Sequence, residues 1–449
     1  MKDVQAFLSG RIWLKEHTPF SSSVIDNFID KGFITPHKGI QSNQLSQGKQ
    51  IHRQCRRCAS KQLTAFHCAK CNGTCLYCRH CIRMGRVSSC TELITWTGPE
   101  IKSILEHNFR WSGTLTPQQA QASEELMNSI HKNQSHLIHA VCGAGKTELL
   151  FPAIFDLLKQ GQRVCVATPR TDVVLELVPR FQQVFPQTII HALYGGSPEH
   201  TNYAQLILAT THQLLRFEEA FDVVFVDEAD AFPYTVDKSL QFAVQKAKKI
   251  HAVVHTITAT PSDELLGQAV NISLISQRFH GFLLPVPRFV GLWNYRKHMH
   301  KGELSRKLEK WTQQCLKKDQ PFLIFFPTIS LMERALPLFQ QMHQDIRAVH
   351  AEDPDRKEKV LQLREKKVCG LLTTTILERG ITIPNVQVAV VGADEAIFTS
   401  SALIQISGRV GRSVDHPGGD IVFFHHGISF AMDKAKATIE AHNEKRSKL

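Results

Sequence analysis

Residues 137–147 read L-I-H-A-V-C-G-A-G-K-T. An apolar run, Leu137–Val141, gives way to a loop with glycines at 143 and 145, then to Lys146, Thr147 and a stretch with helical spacing. A phosphate-cradling loop needs that order of strand, glycine-bearing turn and helix start. The glycines let backbone N–H groups turn toward an anion, the helix N-terminus adds partial positive charge, and a lysine reaches the outer phosphates. The loop takes in Ala140, Val141, Cys142, Gly143, Ala144, Gly145, Lys146 and Thr147, with alanine at 140 where such loops carry their first glycine. Thr147 is the residue placed for a magnesium ion. This stretch therefore predicts an open α/β sheet binding ATP at its strand ends.

Outward from the loop, short β-branched runs recur at helix-length intervals: Arg163–Ala167, Thr188–Leu193, Leu206–Ala209, Asp222–Val226 and Ala252–Ile257. The segment 276–300, with Pro285 and Pro287, breaks the rhythm, and a second series follows at Phe322–Phe326, Arg347–His350, Gly370–Thr373, Val386–Val391 and Asp420–His425. Alternation of this kind predicts βαβ units and mostly parallel sheets. The expected organisation is an N-terminal segment at 1–50 with a short helix or two, a cysteine-rich module at 51–95, and α/β lobes at 105–275 and 285–449. A charged helical stretch from Ser429 is expected to pack on its own lobe.

Within this frame D-E-A-D at 227–230 follows the apolar run Val223–Val226, so Asp227 and Glu228 fall at the carboxyl edge of a strand. Asp227 is suited to magnesium and Glu228 to orienting or deprotonating an attacking water. In L-T-P-Q-Q at 115–119, Gln119 is offered to an adenine edge. Thr258-Ala259-Thr260 is a short hydroxyl link at another strand end. In Q-I-S-G-R-V-G-R at 405–412, Arg409 and Arg412 stand three apart, expected on one helix face, where both can act on a transferring phosphoryl group.

The chain has 449 residues and a formal charge of +12, which suits a polyanionic partner. No segment approaches the roughly 20 apolar residues of a spanning helix, and the start does not read as a secretory signal, so a soluble cytosolic protein is expected. The absence of a short repeat disfavours a solenoid. Of twelve cysteines, eight fall between 55 and 90. Their C-x-x-C spacings read as a structural zinc site. Cys55, Cys58, Cys68, Cys71, Cys75, Cys78 and Cys81 are candidates for one site or two, with Cys90 or His80 as a further contributor. Between Ile51 and Cys90 stand eight Lys or Arg and no Asp or Glu, which reads as a DNA contact or a docking surface.

The motif series resembles the superfamily 2 helicases and translocases over about residues 110–427. This implies two RecA-like lobes, with Lys146, Thr147, Asp227, Glu228, Arg409 and Arg412 in the nucleotide chemistry and Thr258, Thr260 and Gln405 coupling it to nucleic acid. The same resemblance implies a nucleic-acid track along Pro169, Arg170, Thr210, Thr211, His212, Thr373, Thr374 and Thr375. Thr382, in E-R-G-I-T at 378–382, stands where DEAD-box RNA helicases place an aspartate.

Y-C-R-H-C-I-R-M-G-R-V at 77–87, A-T-T-H-Q-L-L at 209–215 and T-T-T-I-L-E-R-G at 373–380 extend the resemblance to the ComFA family of late competence proteins. That family implies a DNA-stimulated ATPase using ATP, Mg2+ and Zn2+ that helps draw single-stranded transforming DNA into the cell. It implies zinc on Cys55, Cys58, Cys78 and Cys81, with the other cysteines as alternates or a second site. It further implies a cytoplasmic protein at the inner face of the membrane, working with ComFC, DprA and the ComEC channel; the sequence leaves ring and monomer both open. Two further readings fit the same residues: a zinc-stapled DNA-binding adaptor with a switching ATP site, and a replication-restart DNA helicase similar to PriA.

Overall fold

A computed structural model describes residues 2–44, 51–101, 106–380 and 382–447. Residue 105, the expected start of the first lobe, and Ile381 of the E-R-G-I-T segment lie outside the described residues. Contacts divide the chain into two units: Met1–Leu115 with Ala120–Ile138 and Thr147–Ser273, and Thr116–Gln119 with His139–Lys146 and Leu274–Leu449. The phosphate loop through Lys146 thus groups with the second unit, and Thr147 with the first.

The first unit opens with an antiparallel sheet in which Glu92–Trp96 lies between Ile12–Leu14 and Ile34–Lys38. Helices Lys2–Leu8 and Ser22–Asp30 contribute Phe7, Leu8 and Ile25 to a core with Trp13, Ile34 and Ile94. The N-terminal segment is thus richer than the expected helix or two. Pro36 sits in the edge strand Ile34–Lys38, where a missing N–H is tolerated but the strand pattern is masked. The central strand Glu92–Trp96 follows the cysteines in sequence, so the cysteine-rich residues are an excursion from this sheet. They form two hairpins, Ile40–Gln44 with Ile51–Cys55 and Leu63–Cys68 with Gly73–Cys78.

A seven-stranded sheet follows in the order Ile190–Leu193, Leu206–Thr210, Val164–Thr168, Val223–Asp227, Val254–Thr258, His136–Ala140 and Asn271–Ile275. Its first five strands pair in parallel. Val164–Thr168 and Leu206–Thr210 are buried at every residue, so both faces of the sheet are covered and the strands read as unbroken apolar runs.

The second unit carries a six-stranded parallel sheet in the order Arg288–Gly291, Ile421–His425, Gln387–Val391, Phe322–Phe325, Gly370–Thr373 and Ile346–Val349. Its two faces carry separate apolar clusters, one around Leu323, Val388 and Phe423 and the other around Ile324, Phe326 and Phe339. Helix Phe430–Ser447 places Met432 and Ala435 in the first of these, as expected of the charged C-terminal stretch. Each of the eleven expected strands overlaps an observed one. Asn271–Ile275 and Arg288–Gly291 were not expected, and both are sheet edges. No described helix is long and apolar enough to cross a membrane.

Candidate functional site

The phosphate loop leaves the buried strand His136–Ala140 and turns twice through left-handed backbone, at Gly143 (φ 81°) and Gly145 (φ 70°). Such φ values suit glycine and strain other residues. The Ala144 N–H closes the first turn on the Val141 carbonyl at 3.1 Å. After Thr147 comes a 3-10 turn, Glu148–Leu150, and only then the helix Phe151–Lys159, so the helix begins one turn later than expected. The Gln119 side-chain amide, expected to face an adenine edge, is committed to the loop instead. Its Oε1 accepts from the Thr116 N–H at 2.7 Å, and its Nε2 donates to the carbonyls of Ala144 at 2.7 Å and Gly145 at 3.3 Å.

Within the same unit Cys142 Sγ donates to Gln405 Oε1 at 3.1 Å. A Cβ at Gly408 would stand 2.3 Å from the Cys142 Cβ, so only glycine allows this approach. The expectation of one helix face for Arg409 and Arg412 is corrected here: helix Ser400–Ser407 ends before both, and Gly411 takes φ 68°. Arg409 is buried, and Arg412 donates from Nε to the Gly408 carbonyl at 2.9 Å. Arg278, which no motif marks, is buried and donates to the carbonyls of Val410 and, at 2.8 Å, Gly411, with Cys142 O at 3.4 Å from its Nε. Its pKa is lowered to about 10, chiefly by burial.

The carboxylates belong to the first unit. Asp227 is the last residue of strand Val223–Asp227, and its Oδ1 accepts the Glu228 N–H at 2.9 Å. Glu228 adopts φ 55°, an uncommon conformation for a glutamate that costs about 1–3 kcal/mol and clusters at functional sites. Thr260 Oγ1 donates to Asp230 Oδ2, and Thr258 Oγ1 accepts the Thr260 N–H at 3.0 Å. The hydroxyl link of 258–260 is thus bonded directly to the acidic segment.

The expected nucleic-acid track divides in two. Pro169, Thr210, Thr211 and Thr373 are buried, and the Thr373 hydroxyl donates to the Val349 carbonyl at 3.0 Å. These side chains shape strand ends and do not face outward. Arg170, His212, Thr374 and Thr375 are accessible, Arg170 pairing with Asp172 at 3.2 Å.

The eight module cysteines form two sets of four, Cys55, Cys58, Cys78 and Cys81 in one and Cys68, Cys71, Cys75 and Cys90 in the other. Within each set every sulfur lies within 4.8 Å of the others. Observed separations are 3.7 Å for Cys55 to Cys81, 3.6 Å for Cys58 to Cys78 and 3.6 Å for Cys68 to Cys90. A tetrahedron of thiolates about 2.3 Å from zinc has edges of about 3.8 Å, so the donor sets fit that ion. The first set is fully buried and shares an apolar cluster with Phe217 and Val224 of the first lobe. Arg57 donates to Cys81 Sγ from Nη2 at 3.1 Å. Hydrogen bonds from Cys55, Cys58 and Cys78, with Arg57 beside it, hold the Cys81 thiol far below its usual range. Cys90 completes the second set, whereas His80 pairs with Asp237 at 3.2 Å.

Three family descriptions match in succession: "Competence protein ComFA N-terminal domain" over residues 1–95, "Type III restriction enzyme, res subunit" over 112–263, and "Helicase conserved C-terminal domain" over 306–414. The competence protein ComFA of Bacillus subtilis is 42% identical over 455 residues, covering 100% of this chain and 96% of its own. That of Streptococcus pneumoniae is 39% identical over 401 residues, covering 86% and 92%. Among solved structures, S. cerevisiae Dbp5 bound to RNA and ADP BeF3 aligns with a TM-score of 0.55 at 16% identity, over 73% of this chain and 91% of that one. Mycobacterium smegmatis helicase Lhr bound to ssDNA and AMP-PNP aligns with a TM-score of 0.56 at 18% identity, over 74% and 48%. These likenesses give both large sheets the RecA-like fold, and the two matched descriptions over 112–263 and 306–414 make them helicase lobes. With this identity to two competence proteins along almost their entire length, the chain belongs to the ComFA family of competence proteins.

Proposed function

We propose that this chain is an ATP-driven translocase of single-stranded DNA that helps import transforming DNA during competence. The observation that carries the reading is the paired left-handed glycines, Gly143 and Gly145, delivering Lys146 and Thr147 from a buried strand. Lys146 binds the outer phosphates and Gln119 keeps the loop in shape by holding its carbonyls. Glu228 orients and deprotonates the attacking water, its backbone turned by the bond to Asp227. Thr147 and Asp227 would hold Mg2+, which neutralises charge between the β- and γ-phosphates when bound. Arg409 and Arg412 offset charge on the transferring group. Thr258 and Thr260, tied to Asp230, pass the state of the acidic segment to the DNA-facing strand ends.

Both cysteine sets hold zinc in this reading. The inner set fastens the basic module to the first lobe, supported by the Arg56 ion pair with Glu218 and by Lys246 Nζ donating to the Arg57 carbonyl at 2.7 Å. The test is steady-state ATP hydrolysis with and without single-stranded DNA, against duplex DNA and RNA. Selective stimulation by single-stranded DNA supports the motor. Equal turnover in all four conditions contradicts it and favours a DNA-binding adaptor with a switching ATP site.

A further inference from the structure

Beside strand Ile12–Leu14 the first unit carries a half-open cavity of about 260 Å³ whose polar lining is Trp13, His17, Arg57, Arg83, Glu199 and Arg216. Three parts of the chain meet there: Trp13 and His17 from the N-terminal segment, Arg57 and Arg83 from the cysteine module, and Arg216 from the first lobe. Three guanidinium groups face a single carboxylate. A cation removed from water is costly unless an anion or hydrogen-bond acceptors replace its hydration.

The three arginines are not equivalent. Arg57 is spent on the module itself, donating to the carbonyls of Cys81 at 2.7 Å, Gly85 at 2.7 Å and Met84 at 2.8 Å. Arg216 lies with its Cζ 4.7 Å from the Trp13 ring centre, and burial lowers its pKa. Neither Arg216 nor Arg83 has a hydrogen bond or ion pair with its guanidinium among the described residues. Glu199 is exposed and acts on Arg216 only through space. Arg216 is therefore held at the cavity by packing with its donors uncommitted, and Arg83 adds a second uncommitted guanidinium at the exposed rim.

Position supplies the ligand. Arg216 is the last residue of the 3-10 helix Thr211–Arg216, which begins in the T-T-H segment. His212, lowered first by desolvation, also feels Asp237, His80 and Arg83. The cavity therefore adjoins the accessible end of the expected nucleic-acid track. We propose that Arg83 and Arg216, the latter over the Trp13 ring, form a phosphate site that holds one backbone phosphate of single-stranded DNA and extends the track from the first lobe onto the cysteine module. The identity of the phosphate as DNA backbone rests on the translocase reading; the site itself does not.

The experiment uses the full chain, a fluorescent oligothymidylate and inorganic phosphate. Affinity for the oligonucleotide is measured across salt concentrations, and phosphate binding by calorimetry. The double variant R83A/R216A is expected to bind oligothymidylate roughly tenfold more weakly, the value of one hydrogen-bonded charge pair. Loss of one phosphate contact is expected to reduce the slope of log affinity against log salt by about 0.7. Arg83→Ala and Glu199→Gln change exposed side chains, so they test the site without altering the core: the first weakens binding and the second tightens it. Unchanged affinity and slope in all three variants, with no phosphate binding by the parent chain, would overturn the site. Phosphate binding lost in R83A/R216A while oligothymidylate affinity stays constant would overturn the DNA backbone as its occupant and assign free phosphate. If the parent chain bound phosphate in an Arg216-dependent way but no oligothymidylate, the translocase reading would fail and the site would stand.

Discussion

The hydroxyl of Thr260 donates to the carboxylate of Asp230, joining the end of one parallel strand to the acidic segment that follows its neighbour. Hydrogen bonds to charged groups contribute about 1.5–3 kcal/mol, enough to make the two segments move together. Thr260→Val removes the donor at nearly constant volume. Stimulation of hydrolysis by single-stranded DNA, measured as a ratio of turnover with and without it, is expected to fall roughly tenfold, the equivalent of about 1.4 kcal/mol. An unaltered ratio would show that coupling runs elsewhere.

Lys146→Ala removes the one cationic side chain of the phosphate loop. Loss of a group that stabilises charge in the transition state costs on the order of 10²–10³ in turnover. ATP hydrolysis is expected to drop at least that far, while oligonucleotide affinity stays within about threefold, since the proposed mechanism puts the DNA phosphates on other residues. A large parallel loss of DNA affinity would instead indicate a damaged fold.

In the proposed mechanism the strained backbone of Glu228 stands where water is activated, which makes its carboxylate a sharper test than its position. Glu228→Gln preserves shape and removes the base. Nucleotide binding is expected to persist while turnover falls by about 10²–10⁴. Retained hydrolysis would move the base to another residue.

Gly411 has φ 68°, and a Cβ there would meet the Pro417 carbonyl oxygen at 2.1 Å. Backbone cannot yield as a flexible side chain can, so Gly411→Ala is expected to displace Arg412 and to destabilise its unit by about 1–3 kcal/mol. Thermal unfolding and ATP turnover measure the two effects. A variant with parental melting and turnover would remove Gly411 from the account.

Metal analysis separates the cysteine sets. Two zinc ions per chain are expected, falling to one in Cys71→Ser, whose side chain is exposed. Cys58→Ser reaches the set buried against the first lobe and is expected to cost several kcal/mol of stability, because the metal's binding energy there is folding energy. A chelator is expected to remove the ion on Cys68, Cys71, Cys75 and Cys90 first. One zinc in the parent chain, or release in a single step, would contradict the two-site assignment.

The parallel cores were legible because strands such as Val164–Thr168 and Leu206–Thr210 are covered on both faces and so read as apolar runs. Asn271–Ile275 and Arg288–Gly291 escaped because edge strands carry exposed residues, here Ile272 and Leu274, and because Pro285 and Pro287 obscure the second. The phosphate loop and D-E-A-D are local in sequence and were visible as such. Arg278 was not, since its partners lie more than 130 residues away and nothing nearby distinguishes it from a surface arginine. Gln119 was singled out for its position, yet its amide is held by loop carbonyls that only folding brings near. The cysteine sets interleave, Cys75 joining Cys68 while Cys78 joins Cys55, so spacing alone could not sort the ligands.

The most direct test of the central claim is displacement of streptavidin from a biotinylated single-stranded oligonucleotide by the purified chain. Release that requires ATP, occurs faster from one end than the other and disappears in Lys146→Ala is the result expected of a translocase. DNA binding and ATP turnover without ATP-dependent release from either end would contradict it.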